Sequence, residues 1–158
     1  MTQSIAGVLD AMLASFTTIY AGSVGTDSEP VLVSFGDPGQ YQPSAIVAIM
    51  DTTTQISRPT LGTNRSREMA AEVSVIISVY TPGDESAQQT STDCAFGLLT
   101  VLESSLRASP GERFGGASRD AWVSKADPVA TVATDPESGA PTGRVTEIHA
   151  IVTALIRY

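Results

Sequence analysis

The chain has 158 residues, nine Lys or Arg against seventeen Asp or Glu, and a net charge of -8 at pH 7. That length suits one domain with a real core, and 42% hydrophobic with 16% charged content argues for a folded protein rather than a disordered one. The first cation is Arg58, so residues 1–57 carry five acids and no base, which argues against binding by bulk attraction to phosphate and suits a passage for nucleic acid better than a reader of it.

The single Cys94 excludes an internal disulfide, and its place on an apolar helical stripe makes it a small buried hydrophobe. The N-terminus has no positive region, and no apolar run approaches the roughly 20 residues of a membrane span, so a soluble cytosolic product is expected.

In chain order, residues 4–20 predict a helix. Ile5, Val8, Leu9, Met12, Leu13, Phe16 and Ile19 recur at helical spacing, with Thr2 or Ser4 as cap. A Gly-rich connection leads to a short strand at Val31–Phe35, stopped by Gly36-Asp-Pro-Gly39, where a hairpin is expected. Ser44–Met50 is apolar on both faces and reads as a strand covered on both sides. From Asp51 to Arg67 the pattern dissolves into Thr, Ser, Gln, Gly and Pro with Arg58, Arg65 and Arg67, which predicts a long surface loop and the leading interface candidate.

Glu68–Tyr80 alternates strictly. Met69, Ala71, Val73, Val75, Ile77 and Val79 point one way, so this should be the central strand. After the turn at Pro82-Gly-Asp84, residues 86–108 place Ala87, Ser91, Cys94, Ala95, Leu98, Val101, Leu102 and Leu106 on one helical stripe. Gly97 within it predicts close packing against a backbone neighbour. A second loop covers about 109–121 and carries Arg113, Phe114 and Arg119. Strands are expected at Val129–Thr134 and Arg144–Tyr158, separated by the turn-rich Asp135–Gly143. Two helices and about five strands predict a single α+β domain over residues 1–158, with a mainly antiparallel sheet and both helices on one face.

Chemistry is sparse. Catalysis needs a nucleophile within reach of a base, and the one histidine, His149, has only Glu147 as a same-face neighbour. One His and one Cys far apart leave only carboxylates for a metal, without calcium-loop spacing. Gly111-Glu-Arg-Phe-Gly-Gly116 lacks the ending of a phosphate loop. Arginines and aromatics do not interleave as in a nucleic-acid reader. No catalytic, metal or cofactor site is expected, and function is sought in surfaces.

The order of these elements resembles the tail terminator, or tail completion, proteins of long-tailed bacteriophages. It is carried by the helix Ile5–Tyr20, the turn Gly36-Asp-Pro-Gly39, and Leu61-Gly62 followed by Arg67-Glu68 and the strand Val73–Tyr80. The turn Pro82-Gly83-Asp84, the single long helix and the closing Leu155-Ile-Arg-Tyr158 complete it. The resemblance spans essentially the whole chain and departs from the family in Ser109–Gly143. It implies a structural virion protein, assembled in the host cytoplasm into a homo-oligomeric ring, hexameric in the family. Such a ring ends the tail tube and meets the head–tail connector, with tube protein and connector as partners, DNA passing through, and neither sequence-specific DNA binding nor a membrane involved. Arg58, Arg65, Arg67, Arg113, Phe114 and Arg119 are the expected interface residues. The rivals are a head-to-tail adaptor or other minor virion protein, and a small α+β enzyme or ligand-binding protein built around Glu147, His149 and Tyr80.

Overall fold

The computed structural model describes residues 4–39, 42–56, 68–108 and 114–157. The elements are α1 (Ile5–Ile19), β1 (Leu32–Phe35), β2 (Ala45–Ile56), β3 (Glu68–Pro82), α2 (Glu85–Ala108), β4 (Asp120–Thr134) and β5 (Pro141–Arg157). The five strands form one sheet in the order β1-β2-β3-β5-β4. The fold is α+β with a mostly antiparallel sheet, and β3 is its central strand, as its alternation predicts.

Local chemistry sets the helix starts. Ser4 is extended, and its Oγ accepts from the Gly7 amide at 3.1 Å, capping α1. Asp84 does the same for α2, accepting from the Ser86 amide at 3.1 Å and the Ser86 hydroxyl at 2.9 Å. Those bonds hold its carboxyl below the usual carboxylate range.

Both helices lie on one face of the sheet and share one apolar cluster with it. Val8, Met12 and Phe16 of α1 and Ala95, Leu98, Leu99, Leu102 and Leu106 of α2 meet the inward residues of β2, β3 and β5. On β3 these are Ala71, Val73, Val75, Ile77 and Val79, and on β5 Ile148, Ala150, Val152, Ala154 and Ile156. Tyr20 joins the helices by donating its hydroxyl to the Leu98 carbonyl at 2.9 Å, and burial pushes its phenol far above the ordinary range. A polar staple pins α2 to β5: Thr146 Oγ1 lies 2.9 Å from Gln88 Nε2, 2.8 Å from Ser91 Oγ and 3.1 Å from Thr92 Oγ1.

Several expectations are corrected. The turn at Gly36–Gly39 forms, with both glycines at positive φ, but no hairpin follows, because β1 and β2 are parallel with Leu32 beside Ile46. Nine residues separate Phe35 from Ala45, and nine can span roughly 30 Å, ample to restart a strand parallel to a four-residue one. β2 does not stop at Met50. Residues 51–56, expected as the start of a loop, continue the strand after a bulge in which Met50 and Asp51 oppose Ser74. β4 is one 15-residue strand rather than a short one, and it takes in residues 120 and 121 of the expected second loop. Gly97 faces open space, with nothing within 4 Å of where a Cβ would stand.

Candidate assembly interface

Antiparallel sheets with one covered face normally alternate apolar and polar residues. Here the uncovered face is mixed. Register places Ile46 beside Ser78, Ala48 beside Ile76, and Ile76 beside His149. Glu72, Glu147 and Asp127 lie on this face as well, Asp127 next to His149 on the neighbouring strand. Glu147 and His149 do meet, with Oε2 and Nε2 3.1 Å apart, both well exposed. Lys125 pairs with Asp127 at 2.7 Å, which raises the lysine's pKa. These charged side chains are largely exposed, as on a solvated or partner-facing surface.

The sheet edges carry the more informative pattern. Among the described residues the large apolar side chains most exposed to solvent, between 40% and 55%, are Val24, Phe35, Phe96, Trp122, Val129 and Val132. Phe96 is on the outer face of α2. The other five divide between opposite sides of the sheet. Val24 and Phe35 flank β1 at one edge, whereas Trp122, Val129 and Val132 lie on β4 at the other. Beside Trp122 a hollow of about 160 Å³ opens between β4 and the end of α2, bordered by Glu103, Arg107 and Asp120.

The local sequence explains why the β4 edge is tolerated in its first half. A bulge between Val123 and Lys125 re-aims the strand, and it is stitched by Ser124, whose hydroxyl donates to the Ile151 carbonyl at 3.2 Å and accepts from Thr153 at 2.9 Å. Lys125, Asp127 and Pro128 then discourage pairing with another strand. Beyond Pro128 the residues are Val-Ala-Thr-Val-Ala-Thr, with neither charge nor proline, and all but Ala133 are exposed.

Of the residues expected at an interface, Arg58, Arg65, Arg67 and Arg113 lie outside the described residues. Phe114 is buried, at positive φ, with its ring 6.3 Å from that of Phe16, so its side chain belongs to the core. Arg119 forms an ion pair with Glu68, and its amide donates to the Leu155 carbonyl at 2.8 Å, tying the entry of β4 to the centre of the sheet. The edge residues Val129, Val132 and Phe35 were missed because isolated valines and phenylalanines in short strands read as core. The available signal was the uncharged Val129–Thr134 run following a proline.

No family model matches the chain, and no curated protein matches it. Among solved structures, a chain of the virion of a native gene transfer agent particle is similar over 96% of this chain and 92% of that chain, with 14% identity and a TM-score of 0.48.

Proposed function

We propose that the protein is a structural virion component that forms a homo-oligomeric ring, ending a phage tail tube and joining it to the head connector. The order of elements resembling tail terminators gives the role. The observation that carries the reading is the division of exposed apolar side chains between opposite sheet edges, Val24 and Phe35 at one, Trp122, Val129 and Val132 at the other. Two different patches on opposite flanks make a heterologous contact, which generates a ring when the rotation closes. A hexamer is the number that the resemblance implies.

The arginines Arg58, Arg65 and Arg67, with Arg113 and Arg119, are proposed to meet the acidic first 57 residues of a neighbour and to fix register more than affinity. The uncovered face holds Glu72, Asp127 and Glu147, and a lumen lined by it repels phosphate, so DNA slides rather than sticks.

The test is mass and shape: sedimentation and native mass spectrometry of the purified protein, with particle images. Closed rings of tube-like diameter are expected. A chain that stays monomeric at every concentration and never enters tails overturns the reading. The variant Arg65→Glu with Arg67→Glu should weaken assembly, and unchanged assembly removes these residues from the contact.

A further inference from the structure

We infer that the ring is closed by sheet extension, the outer edge of β4 at Val129–Thr134 pairing antiparallel with the outer edge of β1 at Leu32–Phe35 of a second copy. This rests on the ring reading above and names its contact. Four observations converge on it.

First, β4 is guarded over half its length only. The bulge at Ser124, then Lys125, Asp127 and Pro128, protect residues 123–128, while the six uncharged residues that follow, all but Ala133 exposed, pair among the described residues only with β5. An unguarded edge of that kind is a template for another strand. Selective guarding marks the bare half as the part that must pair.

Second, a matching edge exists in the same chain. β1 is Leu-Val-Ser-Phe, also uncharged, and among the described residues its backbone pairs only with β2. Exposed Phe35 closes one end of it and exposed Val24 lies before the other.

Third, the two edges are level and opposite in direction. Leu32 stands beside Ile46, Ile46 beside Ser78, Ser78 beside Glu147, and Glu147 beside Val129. β1 is parallel to β2, and three antiparallel steps then lead to β4, so β1 and β4 run oppositely. A rotation about an axis near the strand direction keeps those directions, and it sets β4 of one copy antiparallel to β1 of the next, the slightly stronger pairing. Leu32 and Val129 share one face of the sheet, so a partner of Leu32 on that face is Thr131 or Ala133 of the neighbour, a shift of two or four residues, roughly 7 or 14 Å, across a five-stranded sheet roughly 24 Å wide. A tilt of the strands against the ring axis absorbs this.

Fourth, each copy carries a net charge of -8, so close approach costs least where charge is locally absent. Both edge segments are such places.

The experiment uses the full chain in a Cys94→Ala background, which leaves no native thiol. Leu32→Cys is combined with Thr131→Cys, and separately with Ala133→Cys to cover the next register on the same face. Paired cross-strand positions fall within disulfide reach. Mild oxidation of the assembled protein should give a ladder of covalent oligomers from at least one pair, and only dimers from mixed single variants. In parallel, Val129→Lys with Val132→Lys, both exposed positions, should lose the assembled mass while keeping the circular dichroism of the folded chain. If the parent assembles but neither cysteine pair cross-links, the contact lies elsewhere and the inference is overturned while the ring reading stands. An assembly untouched by the two lysines overturns it in the same way. A parent that is monomeric under all conditions sinks both.

Discussion

Asp27 and Ser44 show how single side chains hold the ends of this sheet. Asp27 Oδ1 accepts from the Ser44 hydroxyl at 2.5 Å and from the Glu29 amide at 3.1 Å, and the Ser44 bond is the main cause of its lowered pKa. A carboxylate with a depressed folded pKa contributes stability that is present above its unfolded pKa, near 4, and lost as pH falls through the folded value. Asp27→Asn should therefore lower the melting temperature slightly at pH 7, with the gap from wild type closing below about pH 4. The group is exposed, so the effect is small. Gly25 beside it is stricter. A Cβ there would land on Ser44 Oγ and stand 3.1 Å from the Ala45 amide nitrogen. Gly25→Ala should cost about 1–3 kcal/mol in chemical denaturation, and combining it with Ser44→Ala should cost less than the sum of the two, because one clash disappears.

At the scale of elements, the staple around Thr146 fixes how α2 lies on the sheet. Gln88, Ser91 and Thr92 all converge on its hydroxyl, in a position that is 1% exposed. Thr146→Val keeps the shape and removes the shared partner, so it should destabilise by about 1–3 kcal/mol, as unsatisfied buried polar groups do. An unchanged denaturation midpoint would mean that water replaces the hydroxyl. This network was invisible in sequence, since Gln88 and Thr146 are ordinary polar residues until the fold brings them together. Periodicity did reveal α1, β3, α2 and the inward face of β5, because burial on one side imposes a period of 3.6 or 2. It failed where the signal is mixed. Thr52–Thr54 read as loop although threonine is β-branched and fits a half-exposed strand. Asp127-Pro128 appeared to lead into a short strand beginning at Val129, yet an edge strand tolerates proline within it, and β4 runs through Pro128. Gly36–Gly39 announced a turn correctly, but a turn alone does not say whether the chain comes back antiparallel or runs along the strand to restart parallel to it. The interface was barely legible for a related reason: an edge is a property of strand order, and strand order is set by pairing between distant segments.

At the scale of the whole molecule, charge and edge chemistry make opposing demands on assembly, and ionic strength separates them. If attraction between arginines and a neighbour's acidic first 57 residues drives association, raising salt screens it and rings dissociate. If backbone pairing and apolar contact at β1 and β4 drive it, the main electrostatic effect is repulsion between copies that each carry -8, and screening relieves that repulsion. Between about 0.05 and 0.5 M salt the Debye length shrinks from more than 10 Å to a few ångström, so the two mechanisms predict opposite signs over an accessible range. With the arginine loops setting register and the edges supplying affinity, the midpoint concentration for assembly should fall or stay level as salt rises, as measured by sedimentation velocity. A rise of tenfold or more in that midpoint, about 1.4 kcal/mol of lost association energy, would show that charge pairing holds the copies together, and would move the centre of the contact from the strand edges to the arginine-bearing segments.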